Sequence, residues 1–271
     1  MKRAPKTVVL IIAICLIAVL SLFRQVYSSS RNVVTIPKIT LSKGTSNSNA
    51  IMQEFVEYNG RVYGKTETLI DIQSAKKLMG EKLGNAKGNI DEYSRDDISG
   101  AGLNSNIPGE VYSVKGYDSN FRIMLLSKDL GGGRGLFLEC YNGITISSGK
   151  DVLGKLKMQD NVLKFTYTHF GGWSIPIYDL TDNKLTSKFV DALNNTTPHL
   201  YDKIPGVIPF GKKDLMRYIA ITLKDGSVVN LSLSKNGYII YGNCPVAFKM
   251  NDSIFNKLWN KLDESKDTSA E

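Results

Sequence analysis

Two histidines, His169 and His199, and three cysteines are the only imidazole and thiol side chains in 271 residues, the types best suited to acid–base, nucleophilic and metal chemistry at neutral pH. Neither histidine has a second one at i+4 and no HExxH segment exists, so zinc-ligand spacing is missing. A Ser-His-Asp or Cys-His arrangement would have to use one of these two rings. No serine sits in G-x-S-x-G, and neither Cys140 nor Cys244 lies in a nucleophile motif. Adjacent carboxylates such as Asp96-Asp97 have the chemistry of a glycosidase pair, but a chain of this length offers many such pairs. No catalytic residue, metal ligand or cofactor is assigned.

Three glycine-containing segments are better placed to bind. GITISSGKD, residues 143–151, approaches a phosphate loop. It has five residues before Gly-Lys instead of four, and Asp151 stands where Ser or Thr should reach a metal ion. A turn opening a helix, with Asp151 at its N-terminus, accounts for it better. Gly131-Gly132-Gly133-Arg134-Gly135 has the composition of a backbone anion nest, with Arg134 as its charge, or of a plain connecting loop. His169-Phe170-Gly171-Gly172-Trp173 sets Phe170 and Trp173 around two glycines, a way to present aromatic faces to a sugar or a peptide. The same pattern also describes two core aromatics flanking a tight turn.

These residues need a scaffold. Asn59-Gly60, Asn142-Gly143 and Asp225-Gly226 each separate two strand-like runs, and such pairs suit the positive φ angles of type I′ hairpins. The last hairpin continues through Asn236-Gly237 and residues 242–245 into a four-strand meander over 218–249. There Val229, Leu231 and Leu233 alternate with Asn230 and Ser232, so one face is buried and the other polar. Further strands are expected at 111–115, 121–126 and 162–168. Amphipathic helices are expected at 72–79, 185–193 and 252–262, with one turn more at 152–156 and Asn251 or Asp252 as the last N-cap. The fold class is α+β, mostly antiparallel, because strands come in runs and not as βαβ units.

The chain is 42% hydrophobic and 22% charged, which excludes wholesale disorder. Its net charge of +8 is concentrated at one end: Lys2, Arg3, Lys6 and Arg24 lie in the first 30 residues, and without them the excess halves. The remaining basic residues are interleaved with acidic ones, so no nucleic-acid partner is expected. Residues 8–23, VVLIIAICLIAVLSLF, form an apolar run of about 24 Å as a helix, flanked by Arg24 and Tyr27. The positive residues before it place the N-terminus in the cytoplasm and the rest outside. A cleaved signal peptide, cut after Ser30, is the competing reading and exports the same residues. Cys15, preceded by Ile14, does not fit a lipoprotein site. In an oxidising compartment Cys140 and Cys244 form one disulfide or remain two buried thiols.

The expected plan is therefore a cytoplasmic tip (1–6), a transmembrane anchor (7–27), a Ser/Asn/Thr-rich stalk (28–50) with a short strand near 33–36, two α+β modules (51–158 and 159–263) and a tail (264–271). The segment 109–126, with its VYxxKGYDxxFRI pattern, and the segment 225–259 resemble recurring elements of uncharacterised single-pass or lipid-anchored envelope proteins of Gram-positive bacteria. That resemblance implies export and an α+β fold, and carries no functional residue. The expected function is a non-catalytic binding or sensing module of the cell envelope, with an envelope glycan, peptide or protein as ligand. The alternative is an envelope hydrolase, which would need a deep pocket with converging carboxylates or histidine.

Overall fold

A computed structural model describes residues 32–38, 54–88, 103–127, 134–169, 177–204, 213–250 and 252–264. The expected anchor at 7–27, most of the expected stalk, Asp96-Asp97, Gly131–Gly133, Phe170, Trp173 and Asn251 lie outside the described residues. All elements below belong to one compact unit, Val33–Glu271. No helix among the described residues is long and apolar enough to cross a membrane.

The unit is a mostly antiparallel β structure with three α-helices among the described residues. Its first part contains β1 (Val34–Thr35), β2 (Phe55–Tyr58), β3 (Arg61–Asp71), α1 (Ile72–Leu78), β4 (Met79–Lys87), β5 (Asn104–Ser105), β6 (Pro108–Val114), β7 (Arg122–Leu126), β8 (Arg134–Glu139) and β9 (Thr145–Ile146). Two 3-10 turns, Gly149–Asp151 and Leu153–Leu156, lead into the second part. That part contains β10 (Val162–His169), β11 (Ile177–Asp179), α2 (Asn183–Leu193), β12 (Thr197–Leu200), β13 (Met216–Leu223), β14 (Ser227–Ser234), β15 (Tyr238–Ile240), β16 (Val246–Lys249) and α3 (Asp252–Glu264).

One sheet runs through both parts in the order β11-β10-β13-β14-β3-β8-β7-β6-β4. It forks at β14, whose first residues pair with β3 and whose last pair with β15. Strands from either side of the expected boundary at 158/159 thus share a ladder, through Ser227↔Ile70, Val228↔Leu69 and Val229↔Thr68. The meander forms as its turn residues require, β13-β14-β15-β16, with β12 closing its far edge.

Its turns are not all of the expected type. Asn59 and Gly60 both have positive φ, as a type I′ turn demands. At Asp225-Gly226 only Gly226 does. Its N–H donates to Leu223 O at 3.0 Å, and Asp225 Oδ1 accepts from Ser227 N at 2.9 Å. This is a type I turn followed by a left-handed residue, still a hairpin but one with a bulge.

The hairpin expected at Asn142-Gly143 does not form. β8 is a central strand, paired with β3 on one side and β7 on the other, so no edge is left for a returning strand. The chain turns at Tyr141 and runs on to β9, which pairs with β1. The short strand expected near 33–36 forms as β1 and docks on the core. Val34 and Ile36, two apart on one side of the strand, are buried in the main core, while Val33 and Thr35 face outward.

That main core lies between the meander and the helices. Phe165, Ile219, Ile221, Val229, Leu231 and Leu233 of β10, β13 and β14 point to one face. α2 covers it with Phe189, Val190 and Leu193, and α3 with Phe255, Leu258, Trp259 and Leu262. α2 starts at Asp182, whose carboxylate accepts from Leu185 N at 2.9 Å, a normal N-cap. α3 is held as well by Arg217 of β13, whose guanidinium lies over the Trp259 ring at 4.8 Å and pairs with Asp263.

Candidate functional site

The opposite face of the same strands carries the short residues. Register lines them up in two rows: Asp179, Thr166, Ala220 and Asn230, then Ile177, Thr168, Tyr218 and Ser232. All of these except Ile177 and Asp179 are half-buried. The strand period of two sends them away from the helices, and small side chains at Thr166, Ala220 and Ser232 leave the floor low. Tyr201, Ile240 and the 242–245 turn rise around it, enclosing a concavity of about 710 Å³. That is within the roughly 300–1,000 Å³ range of small-ligand sites.

Its chemistry is neutral. Among the described residues no lysine, arginine or histidine lines it, and Glu67 is the only carboxylate. Asn230 Nδ2 donates to Glu67 O at 3.0 Å and Asn243 Nδ2 to Lys65 O at 2.8 Å, which pins both amides to β3. Thr166 Oγ1 donates to Ala220 O at 3.3 Å. Burial raises the Tyr201 and Tyr218 hydroxyls above their usual range, so both remain donors at neutral pH. The Tyr201 hydroxyl is buried and has no hydrogen-bond partner among the described residues. A buried polar atom left this way is a net cost to the fold, and such atoms call for an explanation.

The residues singled out from sequence are distributed otherwise. Cys140 and Cys244 are both free and buried. Cys244 lines the concavity, but burial pushes its thiol up to about 12, so it is a poor nucleophile at neutral pH. His199 lies on β12 opposite Ala247, its ring edge-on to Tyr238 at 5.4 Å. His169 pairs with Arg217 at the end of β10. Arg134 opens β8 opposite Asp71. Phe170 and Trp173 belong to the undescribed segment between β10 and β11. No group of three His, Cys, Asp or Glu among the described residues has metal-binding geometry.

The phosphate-loop candidate is closed from within. Asp151 Oδ2 accepts from Ser147 N at 2.7 Å, Ser147 Oγ at 2.9 Å and Ser148 N at 3.1 Å. Gly149 N and Lys150 N donate to Thr196 O and Asn194 O. Burial alone would raise the Asp151 carboxyl, but these hydrogen bonds outweigh it and hold the carboxyl below its ordinary value. The backbone donors a phosphate would need are already used. Gly149 is there for packing: a Cβ would stand 1.9 Å from Leu193 O.

A second polar cluster lies where the two parts of the sheet meet. Arg122 of β7 and Glu139 of β8 are fully buried and paired, with Arg122 Nε donating to Glu139 Oε1 at 2.9 Å. Tyr241 donates to Glu139 at 2.9 Å and lies 2.7 Å from Thr68 of β3, while Tyr141 donates to the other carboxylate oxygen. The guanidinium also lies 4.7 Å from the Tyr117 and Phe137 rings. Tyr117, Phe121 and Arg122 are the YDxxFR residues of the recurring segment, so that pattern encodes a turn and a caged cation. With both oxygens of Glu139 engaged, the cluster ties β3, β7, β8 and the meander together.

No family model matches the chain, and neither a curated protein nor a solved structure matches it.

Proposed function

We propose that the protein is a membrane-anchored, extracytoplasmic binding module of the cell envelope whose ligand seats on the helix-free face of β10, β13 and β14. The observation that carries this reading is the lining of the concavity: three tyrosines, aliphatic side chains, small hydroxyl and amide residues and, among the described residues, one carboxylate. A hydrolase of the paired-carboxylate kind would need a second acid converging on the same space, and a cysteine hydrolase would need an ionisable thiol. The run at 8–23, preceded by Lys2, Arg3 and Lys6, supports the anchor and its orientation. The resemblance of segments 109–126 and 225–259 to envelope proteins supports the same location.

Two measurements test this. Protease added to wall-stripped protoplasts should digest the chain to a small membrane-held stub; protection of residues beyond 31 would overturn the topology. The full-length protein in detergent should then retain material from a solubilised envelope fraction, and Ala220→Leu, which fills the floor, should lose it with an unchanged melting temperature. Equal retention by both proteins, or none by either, would overturn the site.

A further inference from the structure

The concavity is lined by two interleaved kinds of surface, with Ser232 between Tyr218 and Ile240 in the ladder. Tyr201, Tyr218, Ile177 and Ile240 provide apolar and aromatic surface. Asn230, Asn243, Ser232 and Glu67 provide acceptors and donors without a positive charge. Resting on the binding-module reading, we propose that the occupant is a short neutral glycan of two or three sugar rings.

Three features favour this occupant over others of the same size. An anion would meet Glu67 with no basic residue in the described lining to offset it. An alkyl chain would cover the amide and hydroxyl groups of the floor without replacing their bonds to water, which is unfavourable for each group left unpaired. A sugar ring has both surfaces: an apolar face of C–H groups that packs on tyrosine, and rim hydroxyls that donate to Glu67 and accept from amide or phenol groups. The volume of about 710 Å³ accommodates a chain of rings rather than a single one.

The test uses the full-length protein in detergent and four trisaccharide-sized or smaller probes, read by saturation-transfer NMR and calorimetry. These are neutral N-acetylglucosamine trimer, the cationic glucosamine trimer, an anionic galacturonic acid trimer, and indole as an aromatic without hydroxyls. The neutral trimer should bind saturably and the anionic trimer about tenfold more weakly, a gap that Glu67→Gln removes. Tyr218→Leu, which removes the aromatic ring from the floor, should weaken the neutral trimer about 2- to 10-fold while leaving the melting temperature nearly unchanged. A purely structural Tyr218 would leave the affinity unmoved, which counts against the proposal. Binding of indole or of the cationic trimer alone, lost in Ala220→Leu, overturns the glycan and leaves the binding module standing. If no probe binds and envelope material is not retained either, both readings fall.

Discussion

The two faces of β10, β13 and β14 are built from alternate residues of the same strands, yet they have opposite fates. On one face Phe165, Ile219, Ile221, Val229, Leu231 and Leu233 are sealed under α2 and α3. On the other, Thr166, Ala220, Asn230 and Ser232 stop short and leave a hollow. The covered face is where apolar area leaves water, so it bears the stability. The hollow contributes little to folding, so its residues are free to be chosen for a ligand. A substitution one position along a strand should therefore change the class of its effect.

The largest expected effect is on the covered face. Truncation after Met250 removes α3 and with it Phe255, Leu258, Trp259 and Leu262, each worth roughly 1.5–3 kcal/mol of burial. That is most of the roughly 5–15 kcal/mol available to a domain, so urea unfolding should lose its cooperative midpoint. An unshifted midpoint would mean that α3 is not part of the core. Phe255→Ala alone should cost about 3–5 kcal/mol in the same assay.

The joint between the two parts of the sheet should come next. Arg122→Met leaves Glu139 buried and unpaired and should cost about 3–5 kcal/mol, whereas Arg122→Met with Glu139→Leu should recover most of that. A double variant no better than the single one would mean that the rings around the guanidinium matter more than the ion pair.

Smaller effects are expected at the turns. Gly226→Val puts a β-branched residue at positive φ, and its Cβ would fall 2.3 Å from Ser74 Oγ of α1. A loss of about 2 kcal/mol or more should follow. A change under 0.5 kcal/mol would show that the turn relaxes freely. On the open face, Ser232→Ala should stay within about 0.5 kcal/mol, and truncation after Glu264, beyond the last helix, should be silent.

The smallest effect is electrostatic. Burial, and then Lys249, hold His199 below its ordinary value in the folded chain. The unfolded chain then binds a proton first as pH falls, so stability should decline as pH drops from 7 through the unfolded value near about 6.5. His199→Gln should flatten that slope; an unaltered pH profile of the melting temperature would assign the slope to other groups.

Local features were readable from residue order. Asn59-Gly60, the alternation from Val229 to Leu233, and the apolar stripe Phe255, Leu258, Trp259 and Leu262 each depend on neighbours within one or two turns. The expected hairpin at Asn142-Gly143 failed because its outcome depends on which strands already flank β8, and those lie far away in the chain. Docking of β1 onto β9 spans more than a hundred residues and leaves no local trace beyond the alternation of Val34 and Ile36. The polar side of the meander was foreseen as polar. That it is a hollow depends on Tyr201 and the 242–245 turn rising around it, which no spacing predicts.

By itself, then, the sequence determined the α+β class, the meander, the three helices and the absence of zinc-ligand or P-loop spacing, because each follows from local period, turn chemistry or motif. The tertiary structure alone decided that β3 and β14 join the two parts, that Arg122 and Glu139 share one buried cage, and which polar face became a concavity. Those outcomes hinge on strand pairings between residues as much as 161 positions apart, as in Thr68↔Val229, where loop closure and burial, not local propensity, choose the partner.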